Sequence, residues 1–126
     1  MRSHSVLVVD DEANVRSLYR DALSDAGHAV TVAADGIAAL EILRGGRIPC
    51  VVLSDARMPR MDGFELSRAV AADPQLASIP IVVMTGDKLL SWTSPARDKY
   101  AVDELESVVQ RSCRLHRHSK GERRAG

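Results

Sequence analysis

At 126 residues, 45% hydrophobic and 27% charged, the chain has the length and composition of one globular domain with a single core. No stretch approaches the ~20 apolar residues that span a bilayer, no signal peptide is recognisable, and Cys50 and Cys113 fit no metal or redox spacing, so a cytoplasmic protein away from membranes is expected. The formal net charge of zero hides a split: residues 1–110 hold 11 Lys+Arg against 16 Asp+Glu, and residues 111–126 hold 6 against 1. Residues 1–110 are therefore read as the domain. Residues 111–126 are read as the end of the last helix and a flexible basic tail, with no direct DNA binding expected.

Ser5 to Val9 (SVLVV) is an apolar, β-branched run halted by Asp10, Asp11 and Glu12, and reads as the first strand. A helical period follows, with Val15, Leu18, Tyr19, Ala22 and Leu23 on one face and Gly27 as the stop. His28 to Ala33 (HAVTVA) alternates as a second strand, and Asp35-Gly36 opens a helix through Ala38, Leu40, Ile42 and Leu43 that ends at Gly45-Gly46. Cys50 to Ser54 reads as the third strand, with Cys50 a small core hydrophobe. A third helix begins near Gly63 and carries Phe64, Leu66, Ala69 and Val70. Pro74 and Pro80 bracket a loop, Ile81 to Met84 (IVVM) is the fourth strand, and Thr85-Gly86 ends it. A last helix carries Val102, Leu105, Val108 and Val109 on one face, with Cys113 at its limit.

Strand and helix thus alternate with short connections, which predicts an α/β, flavodoxin-like doubly wound parallel sheet in the order 2-1-3-4-5. In such folds the working groups sit beyond the carboxyl ends of the strands. The conspicuous polar residues all fall there: Asp10 and Asp11 after the first strand, Asp55 after the third, Thr85 after the fourth.

Neighbouring first and third strands would bring Asp10, Asp11 and Asp55 together, and three adjacent carboxylates repel unless a cation is present. A hard divalent ion resolves this. Mg²⁺ suits one or two carboxylates, a carbonyl, waters and a phosphate oxygen, whereas no loop supplies the larger oxygen set of Ca²⁺. Helix capping by Asp11 explains one acid but leaves Asp55 without a purpose. A carboxylate beside Mg²⁺ can attack phosphorus and form an aspartyl phosphate, with Thr85 offering a hydroxyl to a phosphoryl oxygen. An aspartate-based phosphatase would want a second acid where Arg57 stands, and a flavin carrier a phosphate loop where DDEANV stands.

The segments VLVVDDE (6–12), VLSDARMPRMDGFEL (52–66) and PIVVMTG (80–86) resemble, in order and spacing, the receiver domain of two-component response regulators. The resemblance implies that Asp55 is the phosphoacceptor. It also implies that Asp10, Asp11, Asp55 and the backbone carbonyl of Arg57 hold Mg²⁺, that Thr85 is the switch hydroxyl, and that Gly86 leaves room beside it. The implied donor is a histidine kinase or a histidine phosphotransfer protein, and the implied output is contact with a downstream protein or a second copy of the chain. The pattern breaks after Thr85. Such domains carry a lysine at the end of a fifth strand, but Lys99 lies only 14 positions after Thr85, too few for a helix, two loops and a strand. Three placements stay open: Lys99 serves; or LLSWT (89–93) is the fifth strand with Ser94 in the lysine's place before Pro95; or Lys88 swings in from the loop. Trp92 is read as covering the sheet edge, with a partner contact as the alternative. Two functions follow: a phosphorylation switch with at most slow self-dephosphorylation and no metabolic activity, or a pseudo-receiver that binds partners without phosphorylation.

Overall fold

A computed structural model describes residues 4–84 and 107–112. The expected placements of Thr85, Gly86, Lys88, Trp92, Lys99, Val102, Leu105, Cys113 and the basic tail lie outside the described residues. Within them the elements alternate as β1 (Ser5–Val9), α1 (Ala13–Asp25), β2 (Ala29–Ala33), α2 (Gly36–Arg44), β3 (Val51–Asp55), α3 (Gly63–Ala72) and β4 (Ile81–Met84), with a helical segment at 107–112. The strands form one sheet in the order β2-β1-β3-β4. Every pairing is parallel: Val6 faces Val30 on one side and Val51 on the other, and Asp55 faces Met84.

Parallel strands covered on both faces need apolar side chains in both directions, and β1 and β3 supply them. Val6 and Val8 of β1, with Val51 and Leu53 of β3, pack against Tyr19 and Leu23 of α1 and against Val109. Leu7, Val9 and Val52 point the other way, into a layer with Leu40 and Leu43 of α2 and Leu66 and Val70 of α3. Each fully buried Leu or Val contributes about 1.5–3 kcal/mol relative to exposure. These two layers, filled almost without aromatics, are the core.

Two helical faces stand as expected except for one residue each. Leu18 is 44% exposed on α1 and Phe64 is 50% exposed on α3. The buried stripe of α1 runs through Tyr19 and Leu23, and that of α3 through Gly63, Leu66 and Val70. Two strand boundaries move by one residue. β2 starts at Ala29, because the His28 N–H is used to close α1 on the Leu23 carbonyl (3.0 Å) around Gly27, whose φ is 95°. β3 runs from Val51 to Asp55, so the aspartate is the last residue of the strand rather than the first beyond it.

The amino end of β1 is tied down by polar contacts. The His4 N–H donates to His28 Nδ1 (3.0 Å), the two rings stack with centroids 5.6 Å apart, and His4 Nε2 meets Gln110 Oε1 at 3.1 Å. The segment 107–112 is thereby linked to the start of the central strand. No helix among the described residues is long and apolar enough to cross a membrane.

Candidate functional site

β1 and β3 are adjacent and parallel, with Val9 opposite Ser54, so the residues that end them share one rim of the sheet. Asp10 continues the ladder for one bond, its N–H reaching the Ala33 carbonyl at 3.1 Å, and is only 7% exposed. Its Oδ1 accepts from the Glu12 N–H (2.9 Å), while its carbonyl accepts from Arg16 Nη1 (2.8 Å). Its carboxylate is therefore oriented from behind by the start of α1. The expected cap is corrected here. Glu12, not Asp11, occupies the N-cap position of α1, and its side chain makes no capping bond. Asp11 is exposed and released for another use.

Asp55 sits beside them. Ligand atoms of Asp10, Asp11 and Asp55 all lie within 4.8 Å of one another. The Arg57 backbone N–H, and to a lesser degree that of Ala56, pull the Asp55 carboxyl down, while the Ala56 N–H itself donates to the Met84 carbonyl at 3.0 Å and so continues the β3–β4 ladder. The loop that follows is fixed at its far end. Asp62 and Glu65 form a reciprocal capping box at the start of α3, with bonds of 2.8 and 2.9 Å. The Gly63 N–H donates to the Ala56 carbonyl at 3.0 Å. A Cβ on Gly63 would intrude on the Asp55 carbonyl oxygen and stand 3.0 Å from Ser54 Oγ, so only glycine lets α3 begin this close to the acid.

Burial pushes the Asp10 carboxyl up to about 6, with repulsion from Asp55, Asp11 and Glu12 adding to it and the Glu12 N–H opposing it. Asp55 is also raised, first by burial and then by repulsion from Asp11 and Glu12, against the pull of the two backbone donors. Desolvation thus outweighs the mutual repulsion expected from the sequence as the larger cause. Both effects disfavour the charged state and both are relieved by a cation. The geometry fits a small one. Two oxygens on one Mg²⁺ stand about 3–4 Å apart, given metal–oxygen distances near 2.1 Å. Closing a cluster held within 4.8 Å onto such an ion takes side-chain shifts of under about 1 Å.

Of the residues singled out in the sequence, Asp10, Asp11 and Asp55 come together, and Arg57 adjoins them through its backbone. Thr85 and Lys99 lie outside the described residues. Sequence reasoning passed over the Arg57 N–H as a partner of Asp55, which no side-chain pattern marks. It also passed over Arg60, which reaches from the β3–α3 loop to Asp35 at the head of α2; Asp35-Gly36 had shown only as a helix start.

A doubly wound parallel sheet with acids from two strand tips converging at its carboxyl rim defines the class. The chain belongs to the response regulator receiver domain family, whose pattern it matches over residues 6–110. This is a signalling family of two-component systems rather than one of metabolic enzymes. An uncharacterized 14.6 kDa protein in the sodA1 3' region of Leptolyngbya boryana is 41% identical over 117 residues, covering 86% of this chain and 88% of that one. The response regulator MprA of Mycobacterium sp. (strain KMS) is 38% identical over 100 residues, 79% of this chain but 42% of MprA, so the chain spans less than half of that relative. Among solved structures, the chemotaxis response regulator CheY4 of Vibrio cholerae superposes with a TM-score of 0.71 at 31% identity, covering 88% of this chain and 99% of its own.

Proposed function

We propose that the chain is a phosphorylation switch in which Asp55 accepts a phosphoryl group from a phosphohistidine of a histidine kinase or histidine phosphotransfer protein. A carboxylate oxygen of Asp55 forms the new bond to phosphorus, the phosphorus–nitrogen bond breaks, and the electron pair leaves with the imidazole. The observation that carries the reading is the convergence of three carboxylates from two strand tips within 4.8 Å on one rim of the sheet. Asp10, Asp11, Asp55 and the Arg57 carbonyl are the residues assigned to Mg²⁺. When bound, the ion supplies charge neutralisation for the incoming phosphoryl oxygens.

The chain's own groups do the rest. The Arg57 N–H steadies the nucleophile, and the Ala56 bond to the Met84 carbonyl anchors the strand end beneath it, which orients the attacking oxygen before the donor arrives. Asp10, steadied by Glu12, gives the cation site a pre-oriented wall. Thr85 and Lys99 are assigned the hydroxyl and ammonium partners of the phosphoryl group on the sequence argument alone. Charge added at Asp55 then shifts a conformational population, read out through contact with a protein partner or a second copy, in the cytoplasm. Residues 1–110 are the proposed working unit.

The test uses acetyl phosphate as a small-molecule donor. Intact mass spectrometry in Mg²⁺ is expected to show one added phosphoryl group, lost in Asp55→Asn and in excess chelator. Failure of the wild type to take up phosphate would overturn the reading in favour of an interaction module that works unphosphorylated.

A further inference from the structure

The β3–α3 loop is gripped at its middle by a contact that the acceptor chemistry does not account for. Arg60 has a φ of 70°, a left-handed conformation that is strained for a side chain of its kind and free for glycine. An arginine there has to be held in place. Its Nε donates to Asp35 Oδ2 at 3.1 Å, and its Nη2 reaches the same oxygen. Asp35 belongs to a different part of the chain, at the N-cap of α2, where its Oδ1 accepts from the Ala38 N–H at 2.9 Å. Its side chain is 9% exposed, so one nearly buried carboxylate serves a helix with one oxygen and a loop with the other. The helix-capping N–H and the guanidinium together hold that carboxyl below its usual range.

The neighbouring residues repeat the tie. The Gly36 N–H donates to the Met61 carbonyl at 3.3 Å, and Met61 fills the space a Cβ on Gly36 would need. At one end of the gripped loop, the Ala56 N–H is tied to the Met84 carbonyl at 3.0 Å and the Arg57 N–H faces the Asp55 carboxylate. At the other, Asp62 caps α3. The contact between Arg60 and Asp35 is the side-chain tether between these fixed ends, and it runs to α2 rather than back to β3.

We propose that Arg60 is a positioning residue for the phosphoacceptor: by gripping Asp35 it holds the β3–α3 loop in the backbone path that keeps the Arg57 N–H group aimed at the Asp55 carboxylate. The proposal rests on the reading of Asp55 as the acceptor and adds to it a residue that touches neither donor nor phosphorus. A guanidinium suits the task because two of its N–H groups converge on one oxygen, which the single ammonium of a lysine on its flexible stem does not reproduce.

The experiment compares the full-length wild type with Arg60→Ala, Arg60→Gly, Arg60→Lys and Asp35→Asn, the last keeping an oxygen for the Ala38 N–H while losing the charge. Two quantities are read well below the melting temperature: the rate of phosphoryl uptake from acetyl phosphate as Mg²⁺ is varied, and amide hydrogen exchange of residues 56–62 without donor. Arg60→Ala and Asp35→Asn are each expected to slow uptake roughly tenfold, within the loss of about a hundredfold that an ångström of misplacement can cause. The double variant should be no slower than either single one. Exchange should rise in 56–62 and stay unchanged in β1 and β3, and Arg60→Lys should recover part of the rate. Arg60→Gly separates positioning from stability: relief of the left-handed strain should make it melt at or above Arg60→Ala, yet it should remain as slow. Uptake at the wild-type rate in Arg60→Gly or Arg60→Ala, or unchanged exchange in 56–62, overturns the proposal while leaving the acceptor reading intact. A wild type that takes up no phosphoryl group removes both, so the two failures are told apart by the wild type itself.

Discussion

Asp10→Asn is expected to make the metal-free protein more stable at neutral pH while destroying its response to Mg²⁺. The Asp10 carboxyl is raised from 3.8 to about 6, chiefly by burial. A carboxyl whose folded-state value lies above its unfolded one binds its proton more tightly in the folded state. The associated stability is complete below 3.8 and is lost as pH rises through 6. At about 1.36 kcal/mol per unit, the ionised group burdens the apo fold by about 3 kcal/mol at pH 7.5, and by roughly half of that at pH 5, where it is mostly protonated in the folded protein but mostly ionised in the unfolded. Asparagine carries no charge and keeps an oxygen for the Glu12 N–H. The substitution should therefore recover up to about 3 kcal/mol at pH 7.5, on the order of 10 °C in the melting midpoint for a domain of this size. Urea unfolding in chelator at the two pH values measures it directly. Wild-type protein should regain about 2.7 kcal/mol at a hundredfold excess of Mg²⁺ over its Kd, and the variant should not respond. An Asp10→Asn protein no more stable than wild type at pH 7.5, or a gain that does not grow between pH 5 and 7.5, would refute the idea that a buried carboxylate waits there for a cation.

Gly63→Ala should destabilise the fold by about 2–3 kcal/mol in denaturant unfolding, because its Cβ would meet the backbone oxygen of Asp55 rather than a side chain that can swing aside; wild-type stability would mean that α3 does not start against the acceptor strand. Asp35→Ala removes the α2 cap together with the partner of Arg60 and should cost about 1–2 kcal/mol, more than Asp35→Asn, by the same measurement. Because the Asp35 carboxyl is held below 3.8, its contribution is present at neutral pH and lost only as pH falls through that lowered value. The difference in stability between wild type and Asp35→Asn should accordingly vanish in acid and persist above pH 5.

The strands and the acid cluster could be read from the chain because both are written in runs of a single character. SVLVV and VVLSD are apolar in both directions, which only a sheet covered on both faces accommodates, and the acids interrupt them at the strand tips. Leu18 and Phe64 were misplaced for a different reason. A 3.6-residue period gives the spacing of a helical stripe but not its angular phase, and an exposed apolar residue at the stripe's margin looks the same as a buried one. The tie between Asp35 and Arg60 spans 25 positions and depends on a left-handed arginine that has no sequence signature. The larger share of burial over repulsion in raising Asp10 depends on how completely α1 and the sheet enclose it, which spacing does not disclose.

β1 carries valines and a leucine toward both apolar layers, so sliding it by one position past its neighbours would merely swap Val6 and Val8 with Leu7 and Val9. Grease alone cannot count residues in such a strand. What opposes the slide is polar and sits at both ends: Asp10 drawn one step inward would lose the Glu12 bond, and His4 would leave His28 and Gln110. The polar residues at the two ends of β1 thus act as index marks for assembling the sheet, and a substitution that replaces them with further grease erases the marks by which the chain finds its alignment.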